Sequence, residues 1–258
     1  MVSQVDIEQT ILSQSNAVRT LVLPEIRSAL SDIRADLDSV NPYKTDIIRW
    51  LEPIIDLSAF HVYPMSGITQ GLDWWYDKEQ RGVATLPGDY QWIRATGQDM
   101  LYMSWPSAID GNYRDIPADR AIALDLAYIG SAQPRKISSD NVERAFFSLS
   151  KTFGIRNLRT GWYFTREPDH RLDQLIYGAK YFNRYACDAA ETIIKRFSVD
   201  YVYSRFSALQ RAVCDLVGLE PSDVVWLATS SADKWLKFRR AGNLARICLA
   251  GVYDAGLS

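Results

Sequence analysis

Hydrophobic positions along the chain change their spacing from one region to the next. From Val5 to about Leu37, in VDIEQTILSQSNAVRTLVLPEIRSALSDIRADL, apolar residues recur at helical spacing. This predicts two amphipathic helices, with Pro24 either breaking the run or standing in the first turn of the second helix. Asn41-Pro42-Tyr43 predicts a turn, and YKTDIIRWLEPIIDL a helix as far as Pro53, before an extended piece near AFHVYP. Short apolar runs then alternate with turns through RGVATLPGDYQWI and DMLYMSWPSAIDG. Ala121 to Leu124 reads as a strand buried on both faces and ending on Asp125, and RAFFSLS as a second such strand ending at Lys151. From Arg171 helical spacing returns through RLDQLIYGAKYFNRYACDAAETIIKRF and VDYVYSRFSALQRAVCDLVGL, and DVVWLATSS, KWLKFRR and LARICLAGVYD read as closing strands. Such alternation predicts an α/β domain followed by a part that carries both helices and sheet.

The bulk properties narrow the function more than the fold. A length of 258 residues suits one or two domains and a substantial core. Lys and Arg number 29 against 31 Asp and Glu, so no basic field points to nucleic acid or anionic lipid. Cys187, Cys214 and Cys248 are widely spaced, which argues against a disulfide framework and against a zinc site and suits a reducing compartment. The N-terminus lacks a secretory pattern and no apolar run reaches spanning length, so a cytoplasmic protein is expected. With His61 and His170 the only histidines, lysine, tyrosine and carboxylate chemistry move to the front.

Asp125 and Lys151 are predicted at the ends of two apolar strands, where ligands bind in open α/β sheets. Either charge needs a partner if buried, and a salt bridge between them satisfies that need as well as a catalytic lysine does. Around Lys151 stand Ser148, Gly154 and Arg159, hydroxyl, backbone and guanidinium donors that suit a phosphate. In SGITQGLDWWYDKE, Gly67 opens a helix whose free N–H groups suit an anion, although a plain turn reads the same way. An amine beside a phosphate, with a buried carboxylate on a neighbouring strand, matches what pyridoxal phosphate requires.

These stretches resemble those of a known family. SLSKTFGIRNLR is similar to the cofactor-lysine pattern Ser-x-x-Lys-x-Phe-Gly-x-x-Asn-x-Arg of fold-type I pyridoxal-phosphate enzymes, in particular the aspartate aminotransferase group, and every fixed position is filled. DLAYIG resembles the family's Asp-x-Ala-Tyr-x-Gly, SGITQGLD its phosphate turn, and ARICLAG its Arg-Ile-x-x-Ala-Gly segment. The resemblance implies an aminotransferase-like α/β fold: a three-layer α/β/α large domain and a reduced α+β C-terminal small domain. It divides the chain into a helical arm over 1–45, a cofactor-binding domain over 46–170 and a small domain over 171–258. It implies a homodimer acting on small amino-acid and 2-oxo-acid substrates.

By the same resemblance Lys151 forms the internal aldimine of pyridoxal 5'-phosphate and shuttles the proton, Asp125 keeps the pyridine nitrogen protonated, and Tyr128 bonds the 3′ oxygen. Ser148, Arg159 and the turn Gly67-Ile68-Thr69 grip the phosphate, and Arg246 clamps the substrate carboxylate. Tyr90 or Trp92 supplies the ring that stacks on the pyridine, unless both are ordinary core rings. WPSAIDG departs from the family's Asn-Pro-x-Asn-Pro-Thr-Gly and puts Ala108 where an asparagine normally meets the 3′ oxygen. The chain is also shorter than usual members, so helices of the large domain are expected to be reduced. Arg156, Arg184 and Asp188 match no motif. Aminotransfer is the leading expectation; a lyase, decarboxylase or cyclase using the same cofactor is the alternative, and a non-catalytic binding protein the third.

Overall fold

The computed structural model describes residues 3–31, 33 and 44–257. Two sheets organise it. The larger has six strands, β1 (His61–Pro64), β2 (Val83–Thr85), β3 (Met100–Ser104), β4 (Ala121–Asp125), β5 (Val142–Phe147) and β6 (Trp162–Thr165), in the order β1-β6-β5-β4-β3-β2. Strands β2 to β5 are parallel, and β6 runs antiparallel between β5 and β1.

Both faces of this sheet are buried because successive side chains point to opposite sides. Leu101 and Met103, Ile122 and Leu124, Ala145 and Phe147 enter one apolar cluster. Their neighbours Met100 and Tyr102, Ala123 and Phe146 enter another. Helix α4 (Ile68–Tyr76) covers the second face with Leu72 and Trp75. The first face receives Ile47, Trp50 and Leu51 of α3 (Lys44–Leu51) and Ile193 of α7 (Arg184–Arg196). Parallel strands are ordinarily joined by crossover helices. Here the connections 86–99, 105–120 and 126–141 contain no helix, in line with the reduction expected from the chain's length.

The smaller sheet is antiparallel, with β7 (Glu220–Pro221), β8 (Leu227–Ser230), β9 (Arg239–Ala241) and β10 (Leu244–Cys248) in the order β7-β8-β10-β9. Helix α8 (Tyr201–Val217) and the terminal α9 (Ala250–Leu257) accompany it. No helix among the described residues is long and apolar enough to cross a membrane.

At the N-terminus, α1 (Gln4–Ser13) begins with a capping box between Ser3 and Asp6, and α2 begins at Pro24 and runs to Ser31. Pro24 therefore opens a helix, where its missing N–H costs nothing. Ile7, Ile11 and Ile26 join the main core, so the apolar faces of both helices serve the chain's own packing. Residues between these helices run without regular structure. The turn predicted at Asn41-Pro42-Tyr43 lies outside the described residues, as does most of the run from Ser31 to Leu37.

Several predicted elements are corrected. RAFFSLS is not a strand to Lys151: β5 ends at Phe147, and Ser148 caps a one-turn helix α5 (Leu149–Thr152) that carries the lysine. The cap forms because the Ser148 hydroxyl accepts the Ser150 N–H at 3.0 Å. KWLKFRR is a 3₁₀ helix over Asp233–Phe238 with only its last residues in β9, and the end of LARICLAGVYD is helical. Trp235 and Phe238 are both buried there, three residues apart, which a three-residue period allows and strand alternation does not. The helical run after Arg171 is also divided: α6 (His170–Leu172) continues as a π-helical turn to Gly178, and Lys180 at φ 57° precedes α7.

Candidate active site

The parallel strands bring their carboxyl ends to one level: Ser104 of β3 is in register with Asp125 of β4, and Phe146 of β5 pairs with Asp125 on its other side. Loops leaving these ends close a cavity of ≈ 200 Å³. Gly67, Ile68 and Thr69, Tyr90, Asp125 and Tyr128, Ser148, Lys151 and Arg159 all line it. Nine of the ten residues expected to hold the cofactor share this cavity, and Arg246, expected to bind substrate, is not in its lining. Trp92 is the tenth: its ring is exposed and its indole N–H donates to Asp73 at 2.6 Å. Arg156, Arg184 and Asp188 do not line it either.

Lys151 Nζ donates to the Tyr128 hydroxyl at 3.2 Å and lies 4.4 Å from the centre of that ring. It forms no ion pair with Asp125, so the salt bridge that was one reading of the two strand ends is absent. Asp125 is buried, and desolvation pushes its carboxyl up to about 6, against the pull of hydrogen bonds from Tyr102 and Ala127 and of the Lys151 charge. Tyr102 donates to Oδ2 at 2.8 Å, and the Ala127 N–H to Oδ1 at 2.8 Å.

At the start of α4, Gly67 has φ 85° and no side chain caps the first-turn N–H groups, which leaves them for an anion. A Cβ on Gly67 would stand 2.6 Å from Arg159 Nη2, so glycine is required both for the backbone and for the arginine's approach. Arg159 donates to the Ser66 carbonyl through Nη2 at 2.8 Å and Nε at 3.2 Å. Thr69 and Tyr90 hydroxyls are 3.4 Å apart across the cavity wall.

Arg246 stands behind Ala108, which lines the cavity. Its guanidinium donates through Nη1 to the Ala108 carbonyl and through Nη2 to the Asn16 carbonyl at 3.3 Å. Nε is buried without a partner, and no carboxylate is paired with this cation among the described residues. Burial pulls its pKa down, as expected of a charge without a counter-ion.

Three residues of the site escaped the sequence reading. Asp89 accepts the Ser104 N–H at 2.9 Å, the Ser104 hydroxyl at 2.5 Å and the Tyr90 N–H at 2.7 Å, and so ties the Tyr90 loop to the end of β3. In LPGDYQW it reads as one more turn aspartate. Tyr102 reads as a strand aromatic, and Ser150 as filler between Ser148 and Lys151. A larger cavity of ≈ 490 Å³, between the Ser66 turn and the 180–187 segment, contains none of the predicted site residues.

No family model and no curated protein matches the sequence. Solved structures do match in three dimensions. An aminotransferase from Mycobacterium tuberculosis superposes with a TM-score of 0.64 over 98% of this chain and 94% of its own, at 14% identity. The chain has the aminotransferase fold. Histidinol-phosphate aminotransferase from Sinorhizobium meliloti, in complex with pyridoxal-5'-phosphate, matches at a TM-score of 0.59 over 96% and 90% of the two chains, with 15% identity. A C-S lyase from Staphylococcus hominis matches at 0.59 over 92% and 84%, with 12% identity. The aminotransferase fold thus extends over nearly the whole chain and takes in the N-terminal helices that no motif reaches.

Proposed function

We propose that this chain is a pyridoxal 5'-phosphate-dependent aminotransferase that moves an amine from an amino acid to a 2-oxo acid. The observation that carries the reading is the single cavity in which an amine, a buried carboxylate and an anion cradle meet from four separate segments of the chain. That donor set fits the cofactor. The uncapped start of α4, Ser148 and Arg159 suit its phosphate, and Asp125 its ring nitrogen. When bound, the cofactor supplies an electron sink for the bond that breaks at the substrate's Cα.

The chain's own groups do the rest. Lys151 Nζ takes the proton from the substrate's Cα, and its contact with the Tyr128 hydroxyl keeps the amine directed along the cavity wall. Asp125, ionised, would hold a proton on the ring nitrogen. Tyr128 would donate to the 3′ oxygen, and with Ala108 in place of an asparagine it would do so without a second donor. Arg246 suits a substrate α-carboxylate: it is a buried cation whose Nε–H is unpaired and whose hydrogen bonds from Nη1 and Nη2 go to neutral carbonyls. Tyr90, held by Asp89, would supply a ring beside the cofactor. Two chains form a homodimer in this reading, and full activity from a monomer in light scattering contradicts that part.

A lyase reaction keeps the same site. Ala108 favours it, since losing a tuning hydrogen bond suits specialised chemistry, and a C-S lyase shares the fold. The deciding experiment adds pyridoxal 5'-phosphate to purified protein and follows visible absorbance. A band that borohydride reduction abolishes, with the mass of the reduced cofactor left on the peptide containing Lys151, is expected; folded protein without it refutes both readings. Loss of the band with an amino acid and return with a 2-oxo acid marks aminotransfer, whereas release of CO₂ or ammonia without that reversal marks the lyase.

A further inference from the structure

We propose that Tyr102 is a positioning residue for Asp125: its hydroxyl holds the buried carboxylate in the orientation and ionised form that a protonated ring nitrogen requires. The proposal rests on the cofactor reading above for its purpose, but not for its geometry.

The register brings the two residues within reach. Tyr102 of β3 lies opposite Ala123 of β4, and Asp125 is two residues further along β4, on the same face. The tyrosine ring therefore reaches diagonally toward the carboxylate, and its hydroxyl meets Oδ2 at 2.8 Å. The ring itself is fully buried and stacks on Trp75, with centroids 6.5 Å apart at 25°, which fixes the direction of the hydroxyl. Asp125 Oδ1 is held by the Ala127 N–H at 2.8 Å. Each oxygen keeps a further acceptor position.

A carboxylate so deeply placed stays ionised only with help. The groups that face it are Tyr102, the Ala127 N–H and the Lys151 charge, which favour the anion, and Asp89, which opposes it. Burial and both carboxylates raise the Tyr102 phenol well above its ordinary range, so it remains a donor throughout the pH range of folded protein. A packing ring alone needs no hydroxyl: phenylalanine fills the same volume.

The test compares wild type with Tyr102→Phe, which keeps the ring and removes the donor. Carbon-13 NMR of the aspartate Cγ atoms, with Asp125→Asn to assign the signal, gives the Asp125 titration in protein free of cofactor. Loss of a hydrogen bond to a charged group is expected to move the midpoint up by about one pH unit or more. The pH below which pyridoxal 5'-phosphate affinity falls is expected to move up equally, with affinity unchanged at high pH. A midpoint that stays put or falls overturns the proposal and leaves Tyr102 as packing. If Tyr102→Phe does not fold, the hydroxyl-deuterium isotope shift on Asp125 Cγ in wild type decides: its presence supports the bond and its absence overturns it. Protein that takes up no cofactor at any pH refutes the functional reading, while the carboxyl titration still decides the part played by Tyr102.

Discussion

Arg246 and Ala108 lie 138 positions apart and are joined by a guanidinium–carbonyl hydrogen bond in the buried wall behind the candidate site. Ala108, which stands where the resembled motif has an asparagine, thus offers Arg246 its backbone and no side chain. Arg246→Lys keeps the charge and loses the planar fork. We expect it to weaken binding of amino acids by about 10- to 100-fold, the loss of one charge-assisted hydrogen bond. Spectral titration of the cofactor-loaded protein checks this, and the cofactor band before substrate is expected to be unchanged.

Asp125 gives a pH signature in protein stripped of small molecules. Its folded carboxyl titrates at about 6 against an ordinary 3.8. Below 3.8 both folded and unfolded chains are protonated and the group is neutral for stability. Between those values the unfolded chain releases its proton first, so stability falls as pH rises, and above 6 the penalty is constant. Asp125→Asn removes it. The variant is expected to gain on wild type from pH 4 to pH 7.5 by up to roughly 3 kcal/mol in urea unfolding, and to lose affinity for pyridoxal 5'-phosphate. An equal difference at both pH values contradicts the burial of a charge-averse carboxyl.

Gly67→Ala places a Cβ against Arg159 Nη2 at a backbone angle of φ 85°. Strain and displacement of the arginine are expected to cost about 1–3 kcal/mol in unfolding and to weaken inorganic phosphate binding. Stability lost without any change in phosphate binding would remove Arg159 from the cradle.

Cys187 and Cys214 are buried, and desolvation pushes both thiols up to about 12. Thiolate is scarce at pH 8, so iodoacetamide is expected to label neither in native protein and both in urea, as read by peptide mass. Rapid native labelling of either contradicts the packing around it.

Local patterns carried much of this molecule. Apolar runs located β4 and β5, Gly67 marked the start of α4, and Asp125, Ser148, Lys151 and Arg159 were legible as chemistry because charged and hydroxyl groups stood at or just beyond buried strands, whereas Tyr128 was named by the resemblance alone. Chain order alone settles such things, since strand alternation and helix capping depend on residues a few places apart. Pairing across distance was not legible. The Ser148 cap turned a predicted strand end into a helix, and Tyr90 and Trp92, read alike as stacking or core rings, parted company because Asp89 ties one to β3 while Asp73 takes the other. Tyr102 became a partner of Asp125 only through the β3–β4 register, and Arg246 met Ala108 only where the two sheets come together. The sequence by itself determined which groups could do chemistry; the tertiary structure decided which of them meet, because a buried charge takes its character from neighbours that the fold, and not the chain order, supplies.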